Sequence, residues 1–517
     1  MACRAITIGR ANMGIIAAAF VVAVILGPLF AVFWRAGGGA WLVASDMAAI
    51  RFTIWQALLS ALISVGLAIP VARALARRKF RGRAVLITLL GAPFILPVIV
   101  AVLGLLAVFG RSGILAVLLS KFGLSPVSIY GLQGVVIAHV FFNLPLATRI
   151  ILQGWQAIPS ERFRLAEMLG FGPREIARTL EYPMLLRALP GAFLIVFAIC
   201  LSSFAVALTL GGGPRATTIE LAIYQAFRFD FDLARAAVLA SVQIALVAVV
   251  AVLALRMATG DGMGAGLDRV VRRWDVNTVP SKVLDGAVLL LSTVFLLLPL
   301  TMIVLNGIAG LGMMPPAIWA ALGRSVLVAL AATSLTVVLG LAMATTSRKR
   351  GWIDSIGLLG VTVSPMVIGT GLFLLINPWV RPTDVALAVT VLVNAVMALP
   401  FMLRILTPAC RAVETDYGRL ADSLGMTGWA RLRWLILPRI RRALGFGAGL
   451  TAALSMGDLG VVMLFANPEN ATLPLQMYRL MGAYQMQAAA GAGLVLLMAS
   501  LLLFWGFDRG GRHDADA

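Results

Sequence analysis

Long apolar segments recur along the whole chain, and they constrain its fold more than any other feature. Each is about twenty residues long, the length at which an α-helix crosses the hydrocarbon core of a bilayer. We count twelve of them, near residues 13–34, 52–75, 84–109, 131–152, 185–208, 235–256, 283–306, 325–346, 356–377, 383–405, 443–466 and 486–506. Because only 12% of the 517 residues are charged, the chain lacks the polar surface that a soluble protein needs. The sequence therefore predicts an all-α protein that crosses the membrane repeatedly.

The distribution of basic residues predicts how these helices are oriented. With the N-terminus placed in the cytoplasm, about 32 of the 42 Lys and Arg residues fall on the cytoplasmic side, in agreement with the positive-inside rule. Both termini are then cytoplasmic. Topology also accounts for the formal net charge of +20. Since no soluble basic domain remains, we expect no nucleic-acid partner.

The two halves of the sequence repeat each other around their fourth and tenth apolar segments. Four anchor residues of the first half recur 255 residues later. They are Pro145, Arg149, Gly170 and Pro183, which correspond to Pro400, Arg404, Gly425 and Pro438. Since each unit has six segments, both halves should have the same orientation in the membrane. We therefore predict two parallel six-helix halves, 1–258 and 259–517, joined by a linker near 257–282.

Each repeat contains a polar loop with a short helical pattern, at 158–183 and at 413–438. In both loops, apolar residues at positions i, i+1 and i+4 are predicted to share one helix face, and a glycine follows as a helix stop. These residues are Leu165, Ala166, Leu169 and Gly170 in the first loop, and Leu420, Ala421, Leu424 and Gly425 in the second. A short helix with a small apolar face and basic flanks is suited to docking into a groove on another protein.

The loops resemble the cytoplasmic loop of binding-protein-dependent ABC permeases of the type I class. That loop is marked by Glu-Ala-Ala-x3-Gly-x9-Ile-x-Leu-Pro. The two copies here read Arg164-Leu165-Ala166-x3-Gly170-x9-Leu180-Glu181-Tyr182-Pro183 and Arg419-Leu420-Ala421-x3-Gly425-x9-Leu435-Ile436-Leu437-Pro438. The leading Glu is Arg in both copies and the first Ala is Leu, whereas the second Ala, the Gly and the Pro match in spacing.

This resemblance implies that each loop forms a coupling helix, which sits in a cleft of a nucleotide-binding subunit. The residues assigned to ATPase coupling are Arg164, Leu165, Ala166, Leu169, Gly170, Pro183, Arg419, Leu420, Ala421, Leu424, Gly425 and Pro438. The partners implied are two copies of an ABC ATPase subunit and a periplasmic or extracellular substrate-binding protein. The resemblance further implies a multi-pass permease of a bacterial inner membrane.

The chain itself is predicted to bind no cofactor and to hold no catalytic residue. No Gly-x4-Gly-Lys-Ser/Thr motif, which would hold the phosphates of ATP, occurs in the sequence. ATP and magnesium are therefore expected to be used by the partner ATPase. The three cysteines and two histidines lie far apart in the sequence, which argues against a metal site and against a membrane enzyme.

The substrate is indicated by a second resemblance. The stretch from Leu201 to Pro214, continued by Ala216 to Gln225 and by Arg228 to Ala236, looks like the fused permease of thiamine and thiamine pyrophosphate importers. This implies transport of thiamine or its phosphate esters. Fused permeases for ferric iron or polyamines share the layout and the loops, and they remain alternatives. A secondary transporter is a further alternative, although such carriers usually hold several ionisable residues within the membrane.

Polar residues inside the apolar segments are candidates for the substrate pathway. They are Asn143, Ser202, Ser203 and Asp458, of which Asp458 lies 255 residues after Ser203. A cationic thiazolium ring would balance the charge of a carboxylate at that depth. In the alternative interpretation, Asp458 caps a helix kink between Gly457 and Gly460, and the other three pack helices together. Proline is also predicted to kink the third and ninth segments, at Pro93, Pro97 and Pro365.

Overall fold

The computed structural model describes residues 8–36, 42–91, 93, 95–125, 128–213, 216–257, 274–275, 278–347, 352–361, 363–465 and 469–512. Within these ranges the backbone forms helices joined by turns, without a β-strand. The α-helices are α1 Ile8–Ala36, α2 Ala44–Arg77, α3 Arg83–Leu89, α4 Val98–Phe109, α5 Ile114–Lys121, α6 Leu132–Gln156, α7 Ser160–Met168, α8 Pro173–Ile176, α9 Tyr182–Leu201, α10 Phe204–Leu210, α11 Ile219–Arg228, α12 Leu233–Met257, α13 Val279–Gly310, α14 Ala317–Ser347, α15 Trp352–Gly357, α16 Pro365–Ile376, α17 Ala386–Ser423, α18 Gly428–Ala430, α19 Leu437–Met456, α20 Gly460–Phe465, α21 Leu473–Gly482 and α22 Met486–Arg512. The predicted all-α class is confirmed.

Eleven helical stretches of the described chain are long and apolar enough to cross a membrane. The prediction of a continuous ninth span at 356–377 is wrong, because α15 ends at Gly357 and the 12-residue α16 begins only at Pro365. The third predicted span is divided in the same way, with Pro97 immediately before α4. Proline lacks the N–H that continues a helix and disfavours helical backbone at the preceding residue. The kinks predicted at Pro97 and Pro365 are therefore confirmed as helix starts.

The first helix of each half packs against the other half. Helix α1 lies along α12, α14 and α16, while α13 lies along α2, α4 and α22. The backbones approach closely at small residues, as in other membrane bundles. A methyl group on Gly371 would lie 2.3 Å from the carbonyl oxygen of Pro28, and one on Gly104 would lie 2.7 Å from that of Pro299. The two halves are thus interlocked. The predicted boundary at 258/259 lies outside the described residues, and the division into halves stays a prediction.

Candidate functional site: two loops and two broken helices

The first loop contains a separate helix, α7, whose end is fixed by Gly170. The backbone of Gly170 is left-handed, with φ of 68°, a conformation that glycine adopts without steric cost. The N–H of Phe171 donates to the carbonyl of Ala166 (2.9 Å), and the N–H of Gly170 to that of Glu167 (3.0 Å). These two bonds form a Schellman motif, which satisfies carbonyls that the helix end leaves free. Gly170 therefore stops the helix as the sequence predicts.

The second loop ends in the same motif but is built differently. Gly425 has φ of 65°, and the N–H of Met426 donates to the carbonyl of Ala421 (2.9 Å). The prediction of a short separate helix is wrong here, because these residues form the last turns of the 38-residue α17. In the first half, Pro159 interrupts the chain between α6 and α7. Glu414 stands 255 residues later and lets the helix continue.

The apolar residues of the loops do not share one face, contrary to the prediction. Leu165 and Leu169 are 58% and 61% exposed, whereas Ala166 is buried. In the second loop Leu420 and Leu424 are 55% and 67% exposed, and Ala421 is buried. Consecutive residues of an α-helix point about 100° apart, so the leucines face outward while each alanine packs inward. Each loop therefore presents a leucine pair to the outside.

The remaining residues predicted for coupling flank these leucine pairs. Arg164 and Arg419 are exposed. Pro183 and Pro438 each lie in the first turn of α9 or α19, directly after the π-helical segments Ala177–Glu181 and Arg431–Ile436. A π-helical turn changes the hydrogen-bonding pattern locally and so accommodates the N–H that proline lacks. We call the end of the bundle that carries both loops the loop face, and the opposite end the far face.

Ion pairs hold both loops in shape, to α2 in the first half and within the loop itself in the second, and sequence reasoning did not identify them. In the first half, the buried carboxylate of Glu181 accepts from Nε of Arg73 (3.0 Å) and from Nη2 of Arg77 (2.9 Å), both near the end of α2. In the second half, Arg431 instead donates to Glu414 and Asp422, both on α17. The partners are up to 108 residues apart in the first case, which is why the loop sequence alone does not reveal them.

Two long helices are broken inside the bundle at equivalent positions of the repeat. Helix α9 ends at Leu201 and α10 begins at Phe204, so Ser202 and Ser203 lie in the break. Helix α19 ends at Met456 and α20 begins at Gly460, so Asp458 lies in the corresponding break. The spans predicted at 185–208 and 443–466 correspond to the apolar stretches Pro173–Leu201 and Gly428–Phe465, but the sequence did not predict the break at either position. A break inside a membrane leaves carbonyl groups that need partners other than water.

Side-chain amides supply those partners in the first half. Nε2 of Gln56 donates to the carbonyl of Cys200, and Nε2 of Gln243 to that of Leu201, both at 2.9 Å. The two glutamines come from α2 and α12, so neighbouring helices hold the break open. Both residues are fully buried.

A histidine bridges the same break to α2. The ring of His139 on α6 is hydrogen-bonded at Nδ1 to Oγ of Ser60 (3.1 Å) and at Nε2 to Oγ of Ser203 (2.7 Å). One turn along α6, Nδ2 of Asn143 donates to Sγ of Cys200 (3.3 Å). His139 is isolated in the sequence, but the fold places it between two serines. The predicted pathway residues Asn143 and Ser203 thus have protein partners within this network.

In the second half, Asp458 partly fits the predicted capping role. Its Oδ1 accepts from the N–H of Gly460 (3.1 Å), the first residue of α20. Its Oδ2 is buried and makes no hydrogen bond within the described part of the chain. One carboxylate oxygen therefore caps a helix, as Asp commonly does. The N–H of Val461 and the side chain of Asn394 also lie close to this carboxyl group.

The two breaks face each other where the halves meet. A methyl group added to Gly457 would lie 3.0 Å from Cα of Pro97, at the start of α4. A methyl group added to Gly460 would lie 3.7 Å from Oδ1 of Asp458 and 3.9 Å from Cδ1 of Phe204, the first residue of α10. We call this contact zone between the breaks the seam. Residues beside Asp458 in the second half here approach Pro97 and Phe204 of the first half.

Comparison with known families identifies the molecule that carries these features. The sequence model for "Binding-protein-dependent transport system inner membrane component" matches residues 47–273 and 336–509, one segment in each half. The chain belongs to this family of transport permeases. The permease is accordingly an integral protein of the inner membrane, the translocating and non-catalytic subunit of an ABC transporter. This assignment decides against the secondary-transporter alternative.

Full-length relatives are found among curated permeases of the same family. The chain is 39% identical over 510 residues to the thiamine transport system permease protein ThiP of Escherichia coli, covering 95% of each chain. It is 39% identical over 518 residues to the protein of that name from Salmonella typhimurium, covering 97% of this chain and 96% of the relative. It is 37% identical over 523 residues to the protein of that name from Brucella abortus, covering 98% of this chain and 96% of the relative.

Family membership also indicates which kinds of partner the permease has. Permeases of this family act with an ATPase and with a substrate-binding protein. The leucine pairs on the loop face are exposed apolar surface, and the seam lies where the two halves meet. These two regions are the candidate functional site.

Proposed function

We propose that this permease imports thiamine, or a phosphate ester of thiamine, across the bacterial inner membrane. The observation that carries the proposal is the similarity to permeases named for thiamine transport, which extends over at least 95% of this chain. Thiamine contains a thiazolium cation, and the seam contains the half-buried carboxylate of Asp458, whose inaccessible Oδ2 has no hydrogen-bond partner among the described residues. Ferric iron and polyamines are the alternatives that an uptake experiment must separate.

In this proposal the loop face is cytoplasmic and receives two copies of an ABC ATPase. Each ATPase contacts one leucine pair, Leu165 with Leu169 or Leu420 with Leu424, and the flanking Arg164 and Arg419 lie at the edge of the contact. Gly170, Gly425, Ala166, Ala421, Pro183 and Pro438 shape the two loops. ATP and magnesium are bound by the partner, and the permease has no ATPase site of its own. Both termini then lie in the cytoplasm, and a substrate-binding protein docks on the far face.

The substrate pathway follows the seam. Ser202, Ser203 and Asp458 belong to the two breaks, and Asn143 and His139 hold the first break in place. Closure of the ATPase subunits would move the loops. The ion pairs of Glu181 tie the first loop to α2, and the second loop begins as the end of α17 itself. Since α2 packs against α9 and α17 against α19, that movement reaches the two broken helices of the seam. The seam then opens alternately toward either side of the membrane.

Uptake of labelled thiamine tests the proposed substrate. We expect cells that lack this chain to lose thiamine uptake at low external concentration, and to regain it when the chain is restored. Excess ferric iron or polyamine should not compete. If uptake is unchanged by removal of the chain, or if ferric iron or a polyamine competes, the substrate assignment is wrong although the family assignment stands.

Two substitutions at Asp458 separate charge from capping. Asparagine caps helices about as well as aspartate, so Asp458→Asn keeps the bond to Gly460 and removes the negative charge. We expect this variant to lose at least about tenfold in thiamine uptake, because a buried charge pair loses a partner. Asp458→Ala removes both functions and should in addition lower the yield of folded protein. Normal uptake by Asp458→Asn would show that Asp458 is a structural cap.

A further inference from the structure

Glu220 is a second carboxyl group at the contact between the halves, and unlike Asp458 it is fully buried. It lies in the first turn of α11 and is 1% exposed. Its Oε1 makes no hydrogen bond, and no ion pair to it occurs among the described residues. A buried carboxyl group without a counter-charge is costly in a membrane protein, and such groups usually belong to a functional site. Neither the coupling loops nor the breaks account for Glu220.

Contacts from both halves position this carboxyl group. The N–H of Ile219 donates to Oγ1 of Thr53 (2.8 Å), which fixes the start of α11 against α2 of the first half. The carboxyl group of Glu220 is hydrogen-bonded to the side chain of Ser364. Ser364 belongs to the second half and caps α16 by accepting from the N–H of Met366 (3.1 Å). The side chain of Glu220 therefore extends from α11 to the proline break that precedes α16.

A pair of aromatic rings connects Glu220 to the seam. Tyr224 is one helical turn from Glu220, and side chains four residues apart lie on the same helix face. Its ring packs edge-on against Phe204, with 5.6 Å between the ring centroids. Phe204 and the Asp458 carboxylate in turn both lie within 4 Å of the position that a methyl group on Gly460 would take. The two aromatic rings therefore lie between Glu220 and the region of Asp458.

The environment of Glu220 favours a cation as the missing partner. Burial raises the pKa of the Glu220 carboxyl to about 7, and the hydrogen bond with Ser364 opposes this shift. The carboxylate form therefore needs a compensating positive charge. A flat organic cation would neutralise the carboxylate and also lie against the faces of Tyr224 and Phe204, which attract cations. Thiazolium is a ring of this kind.

We propose that Glu220 binds the cationic ring of the substrate at a second station on the pathway, separate from Asp458. The inference rests on the proposed import of thiamine. Glu220 and Tyr224 are both buried, so the substrate reaches this station only when the halves separate along α11 and α16. Substrate binding then replaces the contact with Ser364, and two carboxyl groups in succession stabilise the cation along its path.

The test uses the complete transporter, with its ATPase and binding protein, in proteoliposomes. Thiamine transported per ATP hydrolysed is measured for the wild type, Glu220→Gln and Ser364→Ala. We expect Glu220→Gln to lower this ratio at least about tenfold, with binding-protein-stimulated ATPase activity within about twofold of the wild type. Ser364→Ala removes the hydrogen bond across the contact and the N-cap of α16 but keeps the carboxyl group. Its yield of folded protein should fall, while the ratio for the assembled complex stays near that of the wild type.

A normal ratio in Glu220→Gln would overturn the inference. So would an equal loss in Ser364→Ala, because the contact between the halves would then be what matters. If Glu220→Gln does not fold, Glu220→Asp replaces it. This variant keeps the charge and should transport thiamine, and a tenfold loss in correctly assembled Glu220→Asp would contradict a role for the charge. A wild-type complex that hydrolyses ATP but moves no thiamine refutes the proposed function instead.

Discussion

A chain with Leu165→Glu and Leu420→Glu is expected to lose its ATPase partner and, with it, all measurable transport. These leucines are 58% and 55% exposed, and in the proposed complex they are buried against the ATPase. A carboxylate placed in such an interface without a partner costs several kcal/mol, enough to weaken binding by a factor of about 100 or more. The permease itself should fold normally, because the leucine side chains point away from the bundle.

Copurification of the ATPase with the permease checks this result, together with thiamine uptake in cells. Glu167→Ala is the matched control, since Glu167 is exposed on the same helix but points away from the leucine pair. It should copurify like the wild type. If the double variant still binds its ATPase and transports, the leucine pairs are not the coupling surface. Single variants would show whether the two loops contribute equally.

Glu181→Gln is expected to give the largest loss of stability. Glu181 is buried, and its carboxylate contacts Arg73 and Arg77 at the end of α2. The Arg77 side chain is itself only 7% exposed. Removing one partner of a buried ion pair costs about 3–5 kcal/mol, because the remaining charge loses its compensation inside the protein. The first loop should also lose its tie to α2, so transport falls even where the protein survives purification.

The apparent melting temperature of the purified permease in detergent measures the effect on stability. Asp508→Asn is the matched control, because Asp508 pairs with Arg512 across one helical turn and the Arg512 side chain is 58% exposed. Because Arg512 is exposed, it stays solvated when it loses its partner, and the cost should be near the ~1 kcal/mol of surface pairs. This variant should therefore melt within a few degrees of the wild type. Equal melting temperatures for the two variants would show that Glu181 does not hold the loop in place.

Features that depend on neighbouring residues are predictable from the sequence. The apolar segments give helices because about twenty apolar residues in a bilayer must satisfy their own backbone hydrogen bonds. Gly170 and Gly425 stop their helices because each takes a left-handed backbone conformation. Pro97 and Pro365 start helices for an equally local reason. The all-α class and the helix stops therefore follow from the chain alone.

Predictions failed where distant residues decide the outcome. The breaks at Ser202 and Asp458 lie within apolar runs, and in the first half the break persists because Gln56 and Gln243 bind the freed carbonyls. Gln56 is 144 residues from Cys200 in the sequence. The inward direction of Ala166 likewise depends on what packs against α7. No periodicity in the local sequence reports such partners.

The sequence by itself determined that this chain spans the membrane with helices and carries two repeated loops, because length, hydrophobicity and glycine or proline spacing act locally. The resemblance of those loops, not their physics, indicated a permease. Only the tertiary structure decided which side chains meet. It placed His139 between two serines, brought Phe204 near Gly460 and brought Glu220 to Ser364 of the other half. The physical reason is that the environment of a buried polar group is supplied by helices from elsewhere in the chain, which only their packing brings together.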